Sequence, residues 1–294
     1  MRQPSTIDLS QLPPPALIDA LDAESYVAAA VADYKSRWPE WTAVLESEPV
    51  MKLIEVLAYR ETLVRARVNT AALATLLATS FGTDLDNIGA RFNTARLPGE
   101  LDDRLRRRIQ LAPEAFSTAG PPGAYEYWAL TKAPAIADAY AYAPEPGVVH
   151  VVVAMADAAD VPADAIDAVA EFLASEDVCP LTDTVSVIAA EPVDYSIHAL
   201  LQLRRGPDPE AVKVQAVGRL AAYRAERYAI DSKVYVSGIN AALKTGGVEN
   251  VVIQSPAHDV AVGPNQGPRP RLNTVETGGV LLVTSGDIYG RVPV

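Results

Sequence analysis

The 294-residue chain has one cysteine, three histidines, three tryptophans and four phenylalanines, and each scarcity removes a class of explanation. Cys179 has no second thiol for an internal disulfide, and His150, His198 and His258 are too scattered to give metal-ligand spacing. Cys179 is expected as a buried thiol. The first residues lack the basic and apolar regions of a secretory leader, and no apolar run reaches the roughly 18 residues of a membrane span. No membrane partner is expected. Positive charge is short too: 25 Lys and Arg against 37 Asp and Glu give a net charge of -12, which opposes broad binding to nucleic acid. Proteins are the expected partners.

Catalytic constellations are equally thin. Ser117 to Gly123 lacks the lysine and preceding strand of a phosphate loop, and there is no nucleophile elbow or paired-histidine motif. His150 in VVHVVV and His198 in SIHALL occupy strand positions. His258 and Asp259, adjacent on an extended chain, point to opposite faces and make no dyad. Asp84-x-Asp86-x-x-Gly89 opens like a calcium loop but places Ile88 at the fifth position and Ala95 at the twelfth, where a Glu is required. No cofactor and no metal are expected.

What the chain does have is a long apolar-rich stretch from Ser47 to Phe81. As one helix it would hold roughly 35 residues and run about 50 Å, beyond the roughly 30 Å of a small domain. Ser47 can cap it, Glu48 and Pro49 suit its first turn, and Gly82 can take the left-handed stop. Val50, Ile54, Leu57, Val64 and Val68 make one seam. Leu53, Val56 and Leu63 lie off it, and Leu73, Leu76 and Leu77 cover another sector. A helix apolar on several sides must be covered on several sides, either by its own domain or by other subunits.

Around this stretch the chain reads as α+β, a helical region followed by two sheet-and-helix modules. Residues 1–15 are Pro-rich and form an extended arm, and 16–132 are helical, with a helix from Ala16 that Pro39 stops. In LDDRLRRRIQL, Leu101, Leu105 and Ile109 share a face while Arg104, Arg106, Arg107 and Arg108 fan over the others. Those arginines suit ion pairs with acidic protein neighbours, or a nucleic-acid adaptor, although no aromatic platform accompanies them. Alternating patterns then give one α+β module over 133–193 and another over 194–262, with KVYV as a short strand. Residues 263–294 are rich in Gly and Pro with VLLV as their one strongly apolar run, and read as an arm ordered against a partner. An α+β enzyme or ligand-binding module is the competing class.

The segments EPVMKLIEVLAYRETLVRARVNTAALATLLATSFGTDLDNIGARF, DDRLRRRI, FSTAGPPGAYEYWAL, EPGVVHVVV, CPLTDTVSV and GGVENVVIQSPAHDVAV resemble, in this order, the baseplate J-like family of contractile phage tails. The likeness spans roughly residues 40–276, and the chain after Thr277 has no counterpart in it. It implies a structural wedge subunit of a phage or tailocin-like baseplate, carried in the virion tail, made in the host cytoplasm and without enzymatic activity. The implied partners are a second copy in another pose, a tail-protein-I-like wedge partner, a lysozyme-like wedge protein and neighbouring wedges around the hub. Val50, Ile54, Leu57, Val64, Val68, Leu73, Leu76 and Leu77 would then meet partners in a helical bundle, with Arg104 to Arg108 near it. Contraction would reorient the modules about the loop at Gly120 to Gly123.

Overall fold

The computed structural model describes residues 7–277, apart from 17, 43–44, 118–119, 157–158, 176–177, 181–182 and 205–207, together with 284–285. The start of the N-terminal arm and the VLLV run therefore lie outside the described residues. The chain forms two compact units, Ile7–Ile109 and one that begins at Gln110.

In the first unit a 3-10 turn at Leu9–Gln11, capped by Asp8, interrupts what the prolines suggest is an extended arm. Helix α1 (Ala23–Arg37) starts later than its apolar pattern implies, because the Asp22 carboxylate accepts from the Glu24 and Ser25 amides and fixes the N-terminus there. Helix α2 (Pro49–Ala74) has 26 residues, about 39 Å at 1.5 Å per residue. Glu48, not Ser47, holds its cap position, without a side-chain cap bond. It also stops short of Gly82. The Thr75 amide folds back onto the Ala72 and Leu73 carbonyls, and the Thr79 hydroxyl donates to Leu73 O at 2.6 Å. Local hydroxyls thus take carbonyls that a longer helix would have used. Gly82, at φ +55°, begins α3 (Gly82–Arg91), and α4 spans Asp102–Ala115. Leu85, Ile88, Leu105 and Ile109 form a small core between α3 and α4.

The second unit opens with α5 (Pro122–Lys132), whose Pro122 sits where no intrahelical donor is needed. Strands β1 (Ile136–Glu145) and β2 (Val148–Met155) form an antiparallel hairpin, and α6 (Ala163–Leu173) crosses over to β3 (Thr184–Ala189), which runs parallel to β2. Val151, Val152 and Val153 are all buried, as expected of a middle strand covered on both faces. Cys179 is half-buried and donates to the Pro180 and Asp183 carbonyls.

The second sheet has the order β5-β4-β6-β7. Strand β4 (Glu191–Leu203) alternates strictly, with Tyr195, Ile197, Ala199 and Leu201 inward. They pack on Val212, Ala216 and Leu220 of α7 (Pro209–Arg227) and Ile239 and Leu243 of α8 (Val236–Leu243). Strand β5 (Val248–Ser255) lies antiparallel on one side of β4. KVYV contributes only an isolated bridge, Val234 to Val260.

The other side of β4 carries the main departure from the sequence reading. Gln266–Thr277, read as part of an arm ordered against a partner, form β6 within the chain's own sheet, parallel to β4 from Glu191↔Gln266 to Leu201↔Thr277. Val275 enters the core, and Arg269 and Arg271 pair with Asp194 at 2.6 and 3.0 Å. Pro268 and Pro270 are tolerated because β7 (Thr284–Ser285) meets β6 only at Asn273 and Thr274. Along its proline-bearing half no described strand needs their missing donors. The second module therefore runs past residue 262 to 277, and it is not a copy of the first in topology.

Candidate functional site

Helix α2 has two unlike sides. Met51, Ile54 and Ala58 are buried, and this side takes α1 and the segment before it. The Asp19 amide donates to Asn69 Oδ1 at 3.1 Å, Asn69 Nδ2 returns a bond to Asp19 O at 2.9 Å, and Arg65 reaches Asp19 at 2.8 Å and Glu61 at 2.9 Å. The Arg65 guanidinium also lies 5.0 Å from the Tyr26 ring centroid. Near the helix start, Trp41 Nε1 donates to Glu48 at 2.7 Å.

The other side has no cover among the described residues. At about 100° per residue, Leu53, Val56, Leu57, Leu63, Val64 and Val68 fall in one broad sector roughly opposite the buried one, and all six are exposed. Leu57 is 55% exposed and Val64 63% exposed, values far above those of a monomer's core. Among the described residues, every exposed large apolar side chain except Phe116, Val214 and Val252 belongs to the first unit. Such concentration marks an interaction surface, since isolated apolar side chains are ordinary and contiguous ones are not.

The seam read from sequence is therefore split. Ile54 lies under α1, 5% exposed, and Val50 is half-buried, whereas Leu57, Val64 and Val68 are open. Leu76 is exposed, Leu73 is half-buried, and Leu77 packs against the α3–α4 core. Leu53, Val56 and Leu63, set off the seam by the sequence reading, complete the open face. The signal for them was present: they share its sector, but choosing Ile54 as the origin turned the seam towards α1.

Arg104, Arg106 and Arg108 of α4 bond to groups within their own unit. Arg108 pairs with Glu100 at 2.7 Å, both side chains almost fully buried, and Arg104 takes the other Glu100 oxygen at 2.7 Å. Arg106 donates to Leu77 O at 2.8 Å and Ser80 O at 2.7 Å, fastening the chain after α2 to α4. Arg96 bridges Asp86 and Asp102, each at 2.7 Å. The Gly82 amide and Arg96 together hold the Asp102 carboxyl below its ordinary value. Asp86, part of the calcium-like pattern, is consumed in the same network. Of the four residues proposed from sequence for a basic binding surface, Arg104, Arg106 and Arg108 thus spend bonds inside the fold.

The remaining polar groups also have structural work. His150 Nδ1 meets the Tyr142 hydroxyl at 3.3 Å, and Asp259 accepts from the Val236 amide at 2.8 Å, starting α8 rather than joining His258. Buried Glu126 and Asp138 accept from the Ala141 and Ile230 amides. Burial and the bond to Asp183 push the Tyr125 phenol up from its usual value. A cleft of about 160 Å³ between the two sheet modules is lined by Asp138, Asp160, Glu191, Tyr228 and Arg269 among others, and Arg269 is tied to Asp194 there. Among the described residues no group of three His, Cys, Asp or Glu side chains is placed to hold a metal. No helix among them is long and apolar enough to cross a membrane.

Comparison with known proteins agrees with this division. Residues 46–99 match the baseplate J-like N-terminal domain, 117–189 the baseplate J-like central domain and 195–277 the baseplate J-like protein C-terminal domain. The first match contains α2 and its open face, and the last ends with β6. Baseplate protein J of Escherichia phage P2 is 38% identical over 296 residues, covering 93% of this chain and 98% of the relative. With three domain matches in order and a relative similar along nearly its whole length, the chain belongs to the baseplate J-like family.

Proposed function

We propose that this protein is a structural subunit of a phage-tail baseplate, a wedge component whose α2 is completed by helices of other subunits. One observation carries the reading: α2 is sealed by α1 on one side and leaves six large apolar side chains in water on the other. Each of the six is already about half covered, so burying the remainder would contribute on the order of 1 kcal/mol apiece, a favourable term set against the entropic costs of assembly. Membership of the family supports the baseplate role, and similarity to the phage P2 protein supports a place in the virion tail.

Likeness to the baseplate J-like family, together with the two unlike sides of α2, supports finer assignments. Leu57, Val64, Val68 and Leu76 meet partner helices directly, while Val50, Ile54, Leu73 and Leu77 set the pose of α2. Arg106 acts by anchoring the chain that follows α2, Arg104 and Arg108 act by holding Glu100 in the α3–α4 loop, and Arg107 lies beside them. The partners are a second copy in another pose, a tail-protein-I-like subunit, a lysozyme-like wedge protein and neighbouring wedges joined into a ring around the hub by the α+β modules. Synthesis takes place in the host cytoplasm, and no catalytic role is proposed. Triggering of contraction belongs to the same reading. At the suggested hinge Gly120 abuts Pro180 and the Tyr125 hydroxyl, and Glu114 accepts from the Gly123 amide, so reorientation there must break those contacts.

Co-expression with the adjacent tail proteins tests the proposal. The wild-type chain should co-purify as a defined complex, and Leu57→Asp should abolish that complex while both units stay folded. A normal complex yield from the variant would refute the assignment of α2.

A further inference from the structure

The two sheet modules of the second unit are joined by almost no chain. Strand β3 ends at Ala189 and β4 begins at Glu191, so Ala190 alone lies between the sheets. Its amide donates to Val153 O on β2 at 2.9 Å, and the next amide, that of Glu191, donates to Asn265 O just before β6 at 2.9 Å. Successive backbone groups are thus committed to opposite modules. A single residue still has rotatable φ and ψ and can serve as an axle. Only a second attachment, away from that axle, stops one sheet from turning against the other.

The turn after α7 makes that attachment. The Tyr228 hydroxyl donates to Met155 O at the end of β2 at 3.1 Å, and the Ile230 amide donates to Asp138 Oδ2 on β1 at 2.7 Å. Both partners of the second bond are buried, Asp138 at 4% and Ile230 at 1% exposure. The turn is also fixed on its own side. Asp231 takes a left-handed conformation at φ +57°, which Asp tolerates better than most residues, and its amide donates to Gln266 O at the start of β6 at 2.9 Å. Asp138, Ala190, Tyr228 and Ile230 all line the cleft between the modules, with the axle and the turn both in its walls. Changing the angle of that cleft would pull a donor from a buried carboxylate, which costs far more than parting an exposed contact.

We infer that Tyr228 to Asp231 is a clasp that locks the two sheet modules into one rigid body, with Asp138 as its catch. The rigidity stands apart from the baseplate role. Its mechanical consequence rests on that reading: contraction turns both modules together about the loop at Gly120 to Gly123, and never one against the other.

Electron–electron distance measurements between spin labels on the free, full-length chain test the clasp. In a Cys179→Ser background, one pair of labels spans the modules, at Ala143→Cys near the tip of the β1–β2 hairpin and Gln215→Cys on α7, and a second pair stays within the second module, at Gln215→Cys and Gln254→Cys; all three positions are exposed. The spanning pair should give one narrow peak. Asp138→Leu with Tyr228→Phe, which removes the acceptor and the hydroxyl donor with little change in volume, should replace that peak with a broad spread while the second pair stays narrow. A broad spread in the parent chain overturns the clasp, and so does a narrow peak kept by the double variant. Hydrogen exchange of the wild-type chain decides if the double variant fails to fold: the Ile230 amide should exchange as slowly as those of Val152 and Val153 on the middle strand, and exchange at the rate of exposed amides overturns the clasp. None of these readouts involves tail assembly, so a failed baseplate role would leave them unchanged.

Discussion

Glu100 and Arg108 form an ion pair at 2.7 Å with side chains only 1% and 2% exposed, and Arg104 closes on the second Glu100 oxygen. The Glu100 carboxylate also accepts from the Leu97 amide at 2.9 Å, and Arg108 donates to Ala95 O at 3.1 Å. The pair therefore satisfies its charges by bonds that span the loop between α3 and α4. Removing one partner strands the other. Glu100→Gln should destabilise the chain by about 3–5 kcal/mol, the range for breaking a buried pair, read as a lower urea midpoint. A loss below about 1 kcal/mol would mean the pair is dispensable.

The two sides of α2 should respond differently to truncation. Ile54→Ala removes a buried side chain and should cost about 2–5 kcal/mol of stability. Leu57→Ala, on the open side, should change the isolated chain by less than about 0.5 kcal/mol. Chemical denaturation of the two variants side by side checks this, and equal losses would mean that α2 is covered on both faces.

Acid should weaken the first unit through Asp102. Its carboxyl lies below the ordinary 3.8 because it accepts from the Gly82 amide and then from Arg96. In the unfolded chain it returns to that value and binds a proton more readily. The stabilisation is thus complete above about pH 4 and is lost as pH falls through the lowered folded value. Asp194, held down by Arg269 and then Arg271, adds the same trend in the second unit. Urea midpoints from about pH 6 to about pH 3 should fall less steeply for Asp102→Asn than for the wild-type chain. Parallel slopes would remove Asp102 from the explanation.

Gly89 is required by space rather than by φ. A Cβ there would lie 2.4 Å from Thr94 O and 3.3 Å from Ile109 Cδ1, and the Gly89 carbonyl is already bonded to the Thr94 amide at 2.9 Å. Gly89→Ala should destabilise the α3–α4 pair by about 1–3 kcal/mol, as overpacking does. A gain in thermal stability would show that the turn yields freely.

Much of this fold was legible because local signals agree with the tertiary outcome. Alternation in β4, Pro122 at the start of α5 and the acidic first turn of α4 all say locally what packing later requires. Where the reading differed, a non-local partner decided. Pro268 and Pro270 argue against a strand until β6 is seen to have no described strand on its other side along that stretch. Nor does the local pattern of α4 show that Arg106 reaches the distant Leu77 and Ser80 carbonyls and that Arg104 and Arg108 reach the buried Glu100. On α2 the composition announced several apolar faces, but only the placement of α1 distinguishes Ile54 from Leu57.

Thiol accessibility in the assembled tail tests the proposed role of α2 most directly. In a Cys179→Ser background, Leu57→Cys and Ile54→Cys chains are treated with a maleimide reagent, first as free protein and then within purified particles. The Leu57→Cys thiol should react rapidly in the free chain and be protected in the particle, while Ile54→Cys stays protected in both. Equal, rapid labelling of Leu57→Cys in the particle would contradict the burial of that face by neighbouring subunits.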